Sequence, residues 1–83
     1  MSLLSGTTVV ALMVDGVPDR IFWRGSRYLV TDSPTPLEEP LFALTHPLDL
    51  TGWRFQGTDK YGVSRMFEIV LRGGFWELLR VYD

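Results

Sequence analysis

The sequence predicts an all-β domain, a small antiparallel barrel or half-barrel of about six strands, interrupted by a proline-rich ordered loop. Three observations predict it. Short stretches rich in β-branched and aromatic residues recur along the chain, separated by Asp15-Gly16, Gly25-Ser26 and Gly73-Gly74, each a two-residue hairpin signal. No stretch repeats its apolar residues at helical spacing for more than a turn or two. A chain of 83 residues that must bury several short strands does so most economically by curling them into a barrel, which also removes exposed edges.

The first strand is Val9-Val10-Ala11-Leu12-Met13-Val14, ending at Asp15-Gly16, a strong type I′ signal. It should pair with the segment that enters Ile21. Pro18 lacks an N–H and suits an edge or a bulge. A simple register would put Asp19 among core residues, so a β-bulge is expected between Val17 and Ile21.

The central hairpin runs from Ile21 to Val30. Glycine in the first turn position suits a type II′ turn at Gly25-Ser26. That register sets Trp23 opposite Tyr28, Ile21 opposite Val30, Phe22 opposite Leu29 and Arg24 opposite Arg27. One face, Ile21, Trp23, Tyr28 and Val30, is apolar. The other carries Arg20, Phe22, Arg24, Arg27 and Leu29.

From Asp32 to Leu50 the alternation stops, broken at Pro34, Pro36, Pro40 and Pro47. Leu37, Leu41, Phe42, Leu44, Leu48 and Leu50 argue for an ordered loop, because disordered segments are poor in large apolar residues. One helical turn around Glu39–Leu44 is expected, with Pro40 at its first position. The apolar residues should cap an open end of the barrel.

Thr51–Thr58 returns to strand, with Trp53 and Phe55 on one face and Arg54 and Gln56 on the other. Asp59-Lys60-Tyr61-Gly62 reads as a turn with a late glycine. Val63–Leu71 and Phe75–Tyr82 form the last hairpin around Gly73-Gly74. Its register pairs Leu71 with Trp76, Ile69 with Leu78 and Phe67 with Arg80. The core face is Phe67, Ile69, Leu71, Trp76 and Leu78; Met66, Val70, Leu79 and Val81 share the other with Glu68, Arg72 and Glu77. Residues 1–83 thus form one domain of SH3-like or OB-like type, with residues 32–50 as an acidic, proline-rich insertion.

Composition narrows the chemistry. Apolar residues make up 46% and charged residues 22%, values ordinary for a soluble globular domain. The absence of cysteine excludes disulfides and thiolate metal sites. With one histidine, His46, no multi-histidine metal site exists. The opening Met1–Gly6 lacks the basic region of a signal peptide. The apolar run Val9–Val14 falls far short of the ~20 residues that a membrane helix needs. A cytoplasmic protein without membrane partners is expected.

Net charge is −2, unevenly spread. Residues 32–49 carry Asp32, Glu38, Glu39 and Asp49 without a Lys or Arg, a local −4, which leaves +2 on the remainder. No P-loop, dinucleotide-binding glycine pattern, nucleophile elbow or metal-ligand spacing is present. Glu38-Glu39 lies on a loop, where adjacent carboxylates do not converge on one substrate atom, so a solvated surface outweighs general acid/base work. His46, with no Ser, Cys or carboxylate cluster beside it, reads as a loop residue. No catalytic residue, metal site or cofactor is expected.

Binding is the better prospect. Trp23, Trp53, Trp76, Phe67 and Tyr28 could stack bases, but in a domain this small they are needed as core. Tyr61, Phe75 and Tyr82, at turns or an end, are the candidate exposed aromatics. Arg24 and Arg27, opposite each other, would repel. Either the acidic loop folds back, with Glu38, Glu39 or Asp49 pairing with Arg24, Arg27 or Arg54, or these arginines meet an anionic partner. Arg20 and Arg54 would extend the patch.

Three segments carry a family resemblance: Pro18-x-x-Ile21-Phe22-Trp23-Arg24-Gly25-x-Arg27-Tyr28-x-Val30, then Trp53-Arg54, then Trp76-x-Leu78-x-Arg80-Val81-Tyr82-Asp83. Together they resemble a group of small actinobacterial domains of unknown function, over about half the chain. Members of that group commonly carry a Trp-rich segment where this chain has Asp32–Leu50. Some relatives are encoded near translesion polymerase genes, so the resemblance implies an accessory role in DNA repair and supplies no catalytic residues.

Two readings follow. The first is a non-catalytic interaction or accessory module for another protein. The alternative is a weak nucleic-acid-binding module that uses Arg24, Arg27 and Arg54 beside an aromatic. A net charge of −2 argues against tight, sequence-independent DNA binding. A small-ligand carrier or an enzyme, with a pocket at the barrel mouth, ranks third.

Overall fold

A computed structural model describes residues 2–37 and 51–82, with side chains from residue 7 onward. Among these residues every element is a strand: β1 (Ser2–Val14), β2 (Val17–Trp23), β3 (Ser26–Val30), β4 (Thr35–Pro36), β5 (Gly52–Thr58), β6 (Ser64–Arg72) and β7 (Phe75–Tyr82). They form one antiparallel sheet in the order β3-β2-β1-β7-β6-β5-β4, and a further pairing between β3 and β5 closes six of them into a barrel. With β4 set aside, every neighbour in the ring is also a neighbour along the chain, except β1 and β7, the first and last strands, whose pairing closes the circle. The expected β-barrel is therefore present, with β4 as one extra strand on β5.

Three two-residue turns set the registers. Asp15-Gly16, Arg24-Gly25 and Gly73-Gly74 all have positive φ at both central positions, from 51° to 85°. This is the type I′ pattern, whose twist matches that of paired strands. The first and third turns lie where the sequence placed them. The middle one corrects the expectation: the turn is Arg24-Gly25, not Gly25-Ser26, so Trp23 pairs with Ser26, Ile21 with Tyr28 and Phe22 with Arg27. Gly25 at φ +74° takes the second turn position rather than the first. Arg24 accepts the left-handed conformation, and its guanidinium lies 4.7 Å from the centroid of the Trp23 ring. Arg24 and Arg27 do not face each other, so the repulsion expected between them does not arise. The alternate faces survive, because the two registers differ by two residues and side-chain direction has period two.

The expected bulge in β2 is present. Leu12 pairs with Arg20 and Met13 with Pro18, leaving Asp19 as the extra residue. A second bulge, at Leu79, corrects the last hairpin. Ile69 still pairs with Leu78, but Glu68 pairs with Arg80 and Phe67 with Val81. Val81 therefore turns into the core (3% exposed), and Arg80 joins Glu68 on the outward face of the sheet. β1 also begins earlier than the sequence indicated. Its first half pairs with β7 and its second half with β2.

The barrel interior holds Val9, Ile21, Trp23, Tyr28, Phe55, Phe67, Ile69, Leu78 and Val81, with Ala11, Val30, Trp53 and Trp76 packed against them. Phe67 is its hub, with ring centroids 5.0 Å from Tyr28 and 5.7 Å from both Trp23 and Phe55. Trp23 is thus core, and Trp53 and Trp76 pack half-buried against it, so the indoles do not form an open stacking platform. Gly57 on β5 makes room for this cluster. A Cβ there would lie 2.8 Å from a Phe67 ring carbon and 3.0 Å from the Tyr28 Cβ. Gly57→Ala is expected to cost about 1–3 kcal/mol through overpacking. Urea unfolding checks this, and an unchanged midpoint would mean that the rings have room to move.

The expected helical turn at Glu39–Leu44, the loop's apolar cap and the pairing of Glu38, Glu39 or Asp49 with the arginines all lie outside the described residues. At the edge of that segment Leu37 packs on Gly52 and donates its backbone N–H to the Gly52 carbonyl at 3.0 Å. Pro36 pairs with Trp53 in β4, a short edge strand where a missing N–H is tolerated.

Candidate functional site

Antiparallel pairing puts successive turns at alternate ends of the barrel. The Arg24-Gly25 turn and the β5–β6 turn share one end; the Asp15-Gly16 and Gly73-Gly74 turns share the other. At the first end β3 projects past the place where it pairs with β5, since their contact is limited to Leu29–Thr58 and Val30–Gly57. Between the projecting hairpin and the β5–β6 turn lies a cleft of about 310 Å³, lined by Phe22, Gly25, Ser26, Arg27, Asp59, Lys60 and Tyr61.

One wall of this cleft is a tightly bonded turn. The Asp59 backbone N–H donates to the Val63 carbonyl at 3.0 Å, and the Gly62 N–H donates to the Asp59 carbonyl at 3.1 Å. Asp59 Oδ1 accepts from the backbone N–H groups of Tyr61 and Val63, each at 2.9 Å. Gly62 at φ +81° supplies the left-handed residue that the turn needs. This wall holds Tyr61 out in solvent at 79% exposure, with the Lys60 ammonium 5.2 Å from its ring centroid. The facing wall is the outer surface of the β2–β3 hairpin, where Phe22 and Arg27 are paired neighbours.

Of the arginines that the sequence singled out, Arg27 lines this cleft. Arg24 sits on the adjoining turn against Trp23. Arg20 lies one strand row away and pairs with Asp19 at 3.0 Å. Arg54 stands on another face. There its Nη2 is 2.7 Å from Glu68 Oε2 and its Nε donates to the same oxygen at 2.9 Å. Arg80 Nε lies 3.3 Å from Glu68 Oε1, and the Tyr82 hydroxyl donates to Oε2 at 3.1 Å while accepting from Arg80 Nη1. Arg54, Glu68 and Arg80 are Cα partners on three adjacent strands, so they form one ion-pair row around a carboxylate only 1% exposed. Of the three aromatics, Tyr61 joins the cleft. Phe75 is exposed at the opposite end, and Tyr82 is half-buried in the Glu68 network.

Sequence reasoning missed Lys60 and Phe22 as site residues. Lys60 was visible beside Tyr61 in the same turn. Phe22 was read onto the outer face, but nothing local marked it as lying near Tyr61.

The outer face of β1, β2 and β3 has its own character. Val10, Phe22 and Arg27 form one row across the three strands, and Leu12, Arg20 and Leu29 form the next. Val10 is 59% exposed, and Leu12, Val14, Phe22 and Leu29 are all exposed as well. Among the described residues no three His, Asp or Glu side chains are grouped to hold a metal ion, and no helix is long and apolar enough to cross a membrane. No protein-family model matches the chain, and no curated protein or solved structure is significantly similar to it.

Proposed function

We propose that the domain is a non-catalytic interaction module whose partner is another protein, acting in the cytoplasm in keeping with the DNA-repair accessory role that the resemblance implies. The observation that carries this reading is the apolar outer face of β1–β3. Five large apolar side chains stand in solvent on three adjacent strands, although the barrel interior has its own complete core. A contiguous exposed apolar surface is costly to leave in water and characteristically marks an association site. Arg20, within one row, is already paired with Asp19, so Arg27 at the end of the other row is the cation that favours an apolar partner surface carrying a carboxylate.

The test is capture from an extract of the native organism. A partner held by apolar burial stays bound at ~1 M salt, where charges are screened within ~3 Å. It also survives nuclease treatment. Leu12→Glu together with Leu29→Glu should weaken capture about tenfold or more per residue, because each buried leucine contributes about 1.5–3 kcal/mol. Both positions are exposed, so the variant should melt like the wild type. Capture that nuclease abolishes, or that the folded variant retains, would refute the reading.

A further inference from the structure

We infer that the cleft between the β2–β3 and β5–β6 turns is a binding site for one nucleotide unit of a single-stranded nucleic acid, adjoining the protein-binding face and sharing Phe22 and Arg27 with it. Three features carry this. The first is charge. Arg27 and Lys60 stand on opposite walls, and among the described residues neither makes an ion pair. The carboxylate in the cleft, Asp59, has Oδ1 engaged by two backbone N–H groups of its own turn. Two cations on facing walls are placed to clasp one phosphate, or two consecutive ones.

The second feature is the aromatic pair. Tyr61 at 79% exposure is too open to serve the core, and Phe22 at 40% lies across the cleft. An exposed ring beside a cation is what a base needs, since every base has a flat π-face and every nucleotide a phosphate. Lys60 covers one face of the Tyr61 ring and leaves the other to a flat partner. The third feature is size. About 310 Å³ is at the small end of ligand cavities and suits one nucleotide rather than a groove that tracks a strand. A base stacked in a duplex cannot present its face to Tyr61, so a duplex is not the ligand. The net charge of −2 and the small number of phosphate contacts make the site weak.

Fluorescently labelled (dT)15 is the probe, with a duplex of equal length and free dTMP as comparisons. At ~50 mM salt (dT)15 should bind with a dissociation constant on the order of 10⁻⁵ M, and no tighter than that at ~150 mM. The logarithm of the association constant should fall against log salt with a slope near −1.4, about 0.7 for each of two contacted phosphates. Tyr61→Ala should weaken binding about 5- to 100-fold by removing the stack. Lys60→Ala should lower the slope by about 0.7. Both positions lie on an exposed turn, and matching thermal midpoints confirm that the variants fold. A neutral Leu12→Ser/Leu29→Ser variant, which adds no charge beside Arg27, should bind (dT)15 like the wild type while weakening protein capture, which distinguishes the two sites. Binding unaffected by Tyr61→Ala, equal binding of the duplex, or no binding of (dT)15 at ~1 mM protein would each overturn the inference. Displacement of (dT)15 by an equal concentration of dTMP would overturn the single-strand assignment.

Discussion

Trp23→Ala should remove a large part of the domain's stability, about 3–5 kcal/mol. Trp23 is 8% exposed and belongs to the same cluster as Ile69 and Leu78. Its ring meets Phe67 edge-on at 5.7 Å and Tyr28 at 6.0 Å. Truncation removes the transfer energy of an indole and leaves a cavity that Phe67 cannot close, because Phe67 is itself held by Tyr28 and Phe55. The guanidinium groups of Arg24 and Arg65, 4.7 and 5.9 Å from the ring centroid, lose their aromatic partner as well. Domains of this size have a total stability of roughly 5–10 kcal/mol. The thermal midpoint should therefore fall by about 12–40 °C, at ~4–8 °C per kcal/mol. Trp76→Ala, at a half-buried position on the margin of the cluster, should cost distinctly less. A loss below ~1.5 kcal/mol for Trp23→Ala would mean that the barrel collapses around the missing ring.

How far the fold could be read from the sequence is decided by its turns and bulges. Asp15-Gly16 and Gly73-Gly74 were legible because both dipeptides tolerate positive φ at each position. Arg24-Gly25-Ser26 was ambiguous. Glycine suits the first position of one turn type and the second of another, and the observed turn asks an arginine to take positive φ, which non-glycine residues seldom do. The bulge at Asp19 announced itself, since a regular register would have buried a carboxylate. The bulge at Leu79 did not. Leucine is acceptable on either face, so the extra residue left no local conflict, and its effects appear only downstream at Arg80 and Val81. The first half of β1, with Ser5-Gly6-Thr7-Thr8, lacks alternation altogether and is a strand because β7 needs a partner to close the ring.

The candidate site was legible in part for the same reason. Exposed Tyr61 and outward Arg27 follow from turn position and strand parity. Their meeting does not, because it depends on β3 pairing with β5 across the segment between them. Arg54 shows the opposite case. Parity placed it outside, as observed, but its carboxylate partner came from β6. Recognising that Arg54, Glu68 and Arg80 align requires both registers, including the bulge.

That row supports the last prediction. Glu68 is 1% exposed, while the side chains of Arg54 and Arg80 are 43% and 30% exposed. The arginines can turn to water if the carboxylate is lost, but the carboxylate cannot follow them out. Removing charges from the two sides should therefore be unequal. Glu68→Leu deletes the buried ion and leaves two guanidinium groups that solvent can reach, for a loss of about 1–2 kcal/mol. Arg54→Leu with Arg80→Leu leaves a buried carboxylate whose remaining partner in this network is the Tyr82 hydroxyl at 3.1 Å, for a loss of about 3–5 kcal/mol. Adding Glu68→Leu to that double variant should restore most of the stability, because three leucines on adjacent strands bury apolar surface with no ion to desolvate. Urea unfolding of the four proteins gives the comparison. If the triple variant is no more stable than the double, the arginines matter for what they pack against rather than for the charge they neutralise.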